Sequence, residues 1–395
     1  MSGRPTPHVI VVGGGVIGCA CAFELARRGA AVTLFERDEL AAGASGRNHG
    51  LLLAPLDPVL VPMAQASTRL YEEIEEGSPL PLGLDPSPIG FLVVAAEEDE
   101  ADAARAEAEA AASSGVRIES LTAGEMRKLE PALAPGVAAG WLLDDGRRLD
   151  PAALTVALAL LARDKGAVVR RHATVRALLR EGNSVRGVVS DEGAVSSDAV
   201  VIAAGPWSGG LLRPVGVDLP ITGSRGWLVH LAQPERLLTR LVNRAGWHIV
   251  GEESGVSRPS ADEVARQYPE PDLGTLLQPN RDASLLVGGS RQPVVTSEPE
   301  DPSVPRRILE AAIELLPALS ASAVISAWWG IRPTTPDGRP VIGQVRDGLF
   351  VATGHGGQGV ILGGGTAQLV ASIVLGEKAP FDPMPFDPAR FVGVR

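Results

Sequence analysis

Gly13, Gly15 and Gly18 stand at the spacing Gly-x-Gly-x-x-Gly, and an acid, Glu36, follows eighteen residues after the last of them. In a dinucleotide site the first glycine permits a tight turn and the second lets the backbone approach a pyrophosphate. The third lets a helix pack closely on a strand. The free N–H groups and partial positive charge of the helix start then receive the phosphates. Glu36 is placed to accept hydrogen bonds from a ribose diol, and its charge opposes a 2′-phosphate. The plainer alternative is an ordinary strand-to-helix turn followed by a surface glutamate. Cys19 and Cys21 are the only cysteines, so neither a disulfide framework nor a cysteine-based zinc site is expected. No metal is expected, and the thiols agree with a reducing cytoplasm.

Three elements must position this motif, and the sequence supplies each. Residues 9–12 are a β-branched run that reads as a strand buried on both faces. Apolar residues at helical spacing follow, Ile17, Cys21, Leu25 and Ala26, closing at Gly29, and residues 31–35 form a second strand ending on Glu36. Further along, residues 97–113 read as an Ala-rich acidic helix, 150–166 as a helix with Pro in its first turn, and 168–179 as strand. Residues 199–203 form another buried strand. Residues 251–280 are polar and rich in Pro and Ser, and read as a long loop of lid or ornament type. Strand resumes at 285–288, a helix covers 307–316, and a Gly-dense stretch, 348–365, leads into an apolar helix ending at Leu375.

The totals set the class. The chain has 395 residues, 45% of them apolar and 21% charged, with a mean hydropathy of +0.13. That is globular, with volume for two or three domains. A net charge of −11 argues against nucleic acid as a partner. No apolar run reaches the ~18–20 residues of a membrane span, and the stretch before the first strand is too short for a signal peptide.

Four blocks, spread over nearly the whole chain, carry a resemblance. They are the glycine fingerprint; Gly43-Ala-Ser-Gly-Arg-Asn-His-Gly50; Ala203-Ala-Gly-Pro-Trp207; and Trp329-Gly-Ile-Arg-Pro333, leading through Asp337-Gly-Arg-Pro340 to Gly354-His-Gly-Gly-Gln-Gly359. In content and order they resemble the FAD-dependent D-amino-acid oxidase superfamily, on the branch of glycine oxidase, sarcosine oxidase and D-amino-acid dehydrogenases. The resemblance implies an α/β fold: a Rossmann-type FAD-binding domain from residues 1–85, 148–217 and 325–395, with a substrate domain on an antiparallel sheet from 86–147 and 218–324.

It also implies roles. Cofactor contacts fall on Gly13, Gly15, Val16, Ile17, Gly18, Glu36 and Arg37, then on Ser45, Gly46, Arg47 and Asn48. Ala204, Gly205 and Trp207 continue them, as do Gly354, Gly356, Gly357, Gln358 and Gly359. The last group opens a helix whose N-terminus would favour negative charge developing on the flavin. Arg332 matches the substrate-carboxylate arginine, whose planar fork suits two carboxylate oxygens; a salt bridge to Asp337 is its alternative. His49 is a candidate for catalysis or for a hydrogen-bonded loop position. The family's second arginine is absent, since the turn here reads His355-Gly-Gly-Gln358. Arg225, His248 and Arg291 are the candidate replacements, and His355 and Trp227 are further substrate candidates. Tyr71 and Tyr268, the only tyrosines, match no family anchor. With no cysteine after Cys21, the FAD is expected to be dissociable.

The implied reaction is oxidation of the C–N bond of an amino or imino acid by hydride transfer to flavin N5, the imine then being hydrolysed. Oxygen and a quinone both stand as electron acceptor, and a homo-oligomer or a partner subunit stays open. The rival readings are a flavin-dependent 2-hydroxy-acid dehydrogenase and a non-catalytic flavin-binding subunit.

Overall fold

A computed structural model of the protein describes residues 6–78, 80–96, 100–113, 117–245, 271–294 and 301–391. Two large sheets organise them. The first has six strands in the spatial order Val341–Arg346, Leu349–Thr353, Ala199–Ile202, His8–Val12, Ala31–Phe35, Val168–Arg170. Val9, Ile10 and Val11 are fully buried, because both faces of the sheet are covered and leave no polar side to alternate with. Val9 and Val11 pack under helices, and Ile10 packs against a small three-stranded sheet of Val175–Glu181, Ser184–Ser190 and Gly193–Ser196. All pairs in this sheet are parallel except the edge strand Val341–Arg346, which runs antiparallel to its neighbour. The helix Val16–Arg27 packs beside Gly359–Leu375 and Pro151–Asp164 in one core. Asp150 starts the last of these, accepting from the N–H groups of Ala152 and Ala153.

The second sheet has eight strands in the order Ala323–Thr334, Thr222–Ala232, Leu285–Val294, Asp272–Pro279, Leu241–Arg244, Phe91–Ala95, Ala139–Leu143, Ile118–Thr122. Its outer face is closed by the helix Ser303–Leu315, which buries Val304, Ile308, Ala312 and Leu315. These fall at helical spacing, so one stripe meets the sheet and the rest meets solvent.

The second sheet is mostly antiparallel, as expected, with Leu241–Arg244 running parallel to Phe91–Ala95. Three expectations change. Residues 325–334 do not belong with the first sheet: the strand Ala323–Thr334 pairs along its length with Thr222–Ala232, setting Trp329 opposite Trp227 and Arg332 opposite Ser224. Asp272–Pro279 is a strand inside the stretch read as a loop; it is buried at every position from Gly274 onward, so no alternation announces it. Residues 251–270 lie outside the described residues. Finally, residues 168–179 hold two strands, because His172 takes a left-handed φ of 56° and turns the chain between Val168–Arg170 and Val175–Glu181. Among the described residues no helix is long and apolar enough to cross a membrane, and no three His, Cys, Asp or Glu side chains gather as a metal site.

Candidate cofactor and substrate site

A cavity of about 800 Å³ runs from the C-terminal ends of the parallel strands to the face of the second sheet. That is where an open α/β sheet binds its ligand, and the volume lies within the usual range of cofactor pockets.

At one end is the glycine turn. Gly13 has φ +118°, and a Cβ there would sit 2.4 Å from the Ala203 carbonyl oxygen. Gly18 is off the cavity and serves packing, its missing Cβ lying 1.9 Å from the Gly13 oxygen. Gly15, Val16 and Ile17 line the wall. Ser45 reaches across from its loop and accepts from the Val16 N–H at 2.8 Å, capping the helix that Gly15 cannot cap itself. The Glu36 carboxylate accepts from Gly14 N–H at 2.6 Å and Asp38 N–H at 2.8 Å. Beyond it the Arg37 guanidinium lies 4.0 Å from the Trp207 ring centre, both lining the cavity with Ala204 and Gly205.

The middle is built by the loop 43–50. Arg47 donates to the Trp329 carbonyl at 3.0 Å, tying the loop to the second sheet. Asn48 lines the wall, but its amide is spent inside the loop: Nδ2 donates to the Ala44 and Ser45 carbonyls and Oδ1 accepts from Gly50 N–H. Gly46 is off the cavity, packed against the Ala41 carbonyl. Opposite, Gly356, Gly357, Gln358 and Gly359 line the wall at the start of the helix Gly359–Leu375, which no side chain caps. Its first N–H groups are therefore left for a ligand. Gly354 stands behind, against Thr335.

These residues fit FAD. The Gly13 turn lies on the cavity wall with a backbone bare of Cβ, two helix N-termini face one cavity, and the volume suits a long cofactor.

The substrate end belongs to the second sheet. The Arg332 guanidinium donates to the Ser290 carbonyl at 3.0 Å and lies where a Cβ on Gly226 would stand, 2.2 Å from Nη1. Asp337, its expected alternative partner, instead holds Arg390 at 2.7 and 3.2 Å. Arg291 lines the cavity with Nη1 3.7 Å from Asp272. Trp329 also lines it, with Arg225 4.9 Å and Arg47 5.8 Å from its ring centre. Arg225 itself is buried outside the cavity lining. Trp227 is a correction: it sits in the core between sheet and helix, away from the cavity. His248 lies outside the described residues. Tyr71 is buried under the last helix, donating to the Val360 carbonyl.

His49 lines the cavity, and its Nδ1 lies 3.2 Å from Gln278 Oε1. Burial pushes its imidazole down to about 3; the Gln278 hydrogen bond opposes this and the Arg332 charge adds to it. His355 lines the wall but turns its ring inward, Nε2 lying 3.0 Å from Thr366 Oγ1. Burial alone pushes it to about 3. Gln278, Gly226, Leu228, Leu276 and the glycine pair at 288–289 were not singled out by sequence. All lie on strands, and the site residues they meet, His49 and Arg332, are distant in the chain.

His355 makes acid stability testable. Its unfolded ring takes a proton near pH 6.5, whereas the folded ring stays neutral to about 3. Stability is therefore full above pH 6.5 and falls as pH drops toward 3, by about 1.4 kcal/mol per pH unit from this residue. Denaturant unfolding of the holoenzyme between pH 7.5 and 5 should show a steeper loss for wild type than for His355→Gln by about that amount. Parallel curves would mean that the ring is hydrated in solution.

The sequence profile described as FAD dependent oxidoreductase matches residues 8–373. The glycine oxidase of Geobacillus kaustophilus is 31% identical over 398 residues, spanning 98% of this chain and 97% of that one. The glycine oxidase of Pseudomonas aeruginosa is 28% identical, spanning 97% and 98%. The crystal structure of the Geobacillus kaustophilus protein superposes with a TM-score of 0.84 at 29% identity, covering 98% of this chain and all of that one. The chain thus belongs to the family of FAD-dependent oxidoreductases, among the amino-acid oxidases and dehydrogenases, and FAD is its cofactor.

Proposed function

We propose that the enzyme oxidises the C–N bond of an amino or imino acid, a primary or secondary amine beside a carboxylate, with Arg332 taking the carboxylate. The observation that carries this reading is the placement of the Arg332 fork on the cavity wall over Gly226, with Asp337 engaged elsewhere. A planar guanidinium can meet two carboxylate oxygens at once and so fix the orientation of the neighbouring carbon. Leu228 and Leu276, beside it in the lining, give the substrate end an apolar wall that excludes water and strengthens the charge contact. Ser45, Glu36, the glycine turn and the start of the helix Gly359–Leu375 would hold FAD. When bound, FAD supplies the two-electron acceptor for a hydride from the carbon bearing nitrogen. The chain contributes orientation and fixed charge, and no side-chain base is assigned. The division into a cofactor half and a substrate half follows the two sheets, with the strand Ala323–Thr334 on the substrate side.

The test is anaerobic bleaching of the flavin. D-amino acids, N-methyl amino acids, cyclic imino acids and 2-hydroxy acids are each added to the holoenzyme. At least one amino or imino acid should bleach it, and its decarboxylated amine should not. Bleaching by 2-hydroxy acids alone, or by nothing, would defeat the reading. Reoxidation by air or by a quinone then separates an oxidase from a dehydrogenase.

A further inference from the structure

A chain of hydrogen bonds runs along the second sheet from the cavity to the surface and fixes which nitrogen of His49 carries the proton. It starts at Asp282, an exposed carboxylate that can only accept. Ser284 Oγ is 2.6 Å from Asp282 Oδ1 and spends its single proton there. Ser284 Oγ must therefore accept from its other neighbours, Asn280 Nδ2 at 3.0 Å and His230 Nε2 at 2.8 Å. With its NH2 committed, Asn280 presents Oδ1 to Gln278 Nε2, a long contact of 3.4 Å. Gln278 then has Oε1 facing His49 Nδ1 at 3.2 Å. An amide oxygen only accepts, so Nδ1 carries the proton and Nε2 keeps its lone pair.

Nε2 has no hydrogen-bond partner among the described residues. A Cβ on Gly288 would lie 2.8 Å from it, and a Cβ on the next residue, Gly289, would lie 3.8 Å from Arg332 Nη2. His49 and Arg332 both line the cavity, so a neutral acceptor and a cationic fork face one space. An α-amino acid presents a carboxylate and an N–H donor one carbon apart, which is what those two groups complement.

We propose that Gln278 is the positioning residue that holds His49 with its proton on Nδ1, so that Nε2 accepts an N–H of the substrate amine while Arg332 holds the carboxylate. This rests on the amino-acid reading above. It makes the site selective for amines that keep an N–H in their neutral form, primary and secondary, over N,N-dialkyl amines. A tertiary amine bound in the cavity would cover Nε2 without giving it a partner and face it lone pair to lone pair. Because the imidazole is neutral and poorly basic, it orients the amine and does not hold its proton.

Holoenzyme labelled with 15N-histidine is compared for wild type, Gln278→Leu and Gln278→Glu, the His49 signals being identified by their loss in His49→Asn. Wild type and the Glu variant should show a protonated Nδ1 and an unprotonated Nε2 at pH 7.5. The Leu variant should lose that preference. In parallel, flavin reduction is measured with the most efficient amino acid of the screen and with its N,N-dimethyl derivative. Wild type and Gln278→Glu should prefer the N–H form about tenfold or more in kcat/KM, the effect of stranding one buried acceptor. Gln278→Leu should lose most of that preference. If the Leu variant does not fold, the wild-type and Glu spectra decide. A wild-type His49 protonated on Nε2 overturns this inference, as does an unchanged preference in Gln278→Leu. Failure of every amino acid to reduce the flavin, with Nδ1 protonated, overturns the substrate reading instead.

Discussion

Replacing Arg332 with Ala should lower the efficiency of flavin reduction by an amino acid about 30- to 4,000-fold and leave FAD content unchanged. The range follows from the cost of stranding a buried, hydrogen-bonded charge, about 2–5 kcal/mol, at 1.4 kcal/mol per decade. Retention of FAD is expected because the guanidinium donates to Ser290 on the second sheet, not to the glycine turn. Arg332→Lys should recover only part, since an ammonium is a point donor and cannot reproduce the fork. A second variant keeps the charge and moves it. In Gly226→Ala the new methyl would stand 2.2–2.6 Å from three guanidinium atoms, so the fork must shift. Its loss should be smaller than that of Arg332→Ala and again specific to the carboxylate. The check is anaerobic stopped-flow reduction with an amino acid and with its decarboxylated amine. The amine, already a poor substrate, should be nearly indifferent to all three changes. Equal losses for both compounds would assign Arg332 to the fold or the flavin.

The parts of this site that could be read in the sequence are those whose partners are near in the chain. The strand His8–Val12, the glycine turn, the helix Val16–Arg27 and Glu36 form one local unit, and each piece has its own periodicity or turn chemistry. The parts that stayed hidden depend on pairing across the chain. Gln278 lies on a strand buried at both faces, and its partner His49 is 229 residues away in the chain, so its polar side chain reads as loop until that neighbour is known. The role of Gly226 exists only because the register puts the Arg332 side chain over it. Trp227 was drawn to the substrate by its neighbourhood in sequence, yet period-two alternation sends it to the core while Gly226 faces the cavity. Asn48 shows the same limit in reverse: the flavin loop was legible, but which of its polar groups are spent on the loop was not.

Glu36 carries the second large effect, and the structure changes what it should look like. Glu36→Ala should weaken FAD binding about 10- to 100-fold, the scale of a lost hydrogen bond to a charged group. A carboxylate has about four acceptor positions, so the two backbone N–H groups it already receives, from Gly14 and Asp38, leave capacity for a ribose diol. Those two bonds also mean that Glu36 braces the glycine turn. Its removal should therefore lower the thermal stability of the apoprotein as well as the affinity for FAD. A residue that touched ribose alone would change only the second. Glu36→Gln should be intermediate in both, because one end of the amide can still accept while the other presents an N–H to an N–H. Titrating FAD into apoprotein, with melting curves of each variant in its absence, separates the two contributions. Unchanged affinity in Glu36→Ala would reduce the carboxylate to a turn brace. Unchanged apoprotein melting with weakened FAD would mean that the Gly14 contact yields to the cofactor without cost.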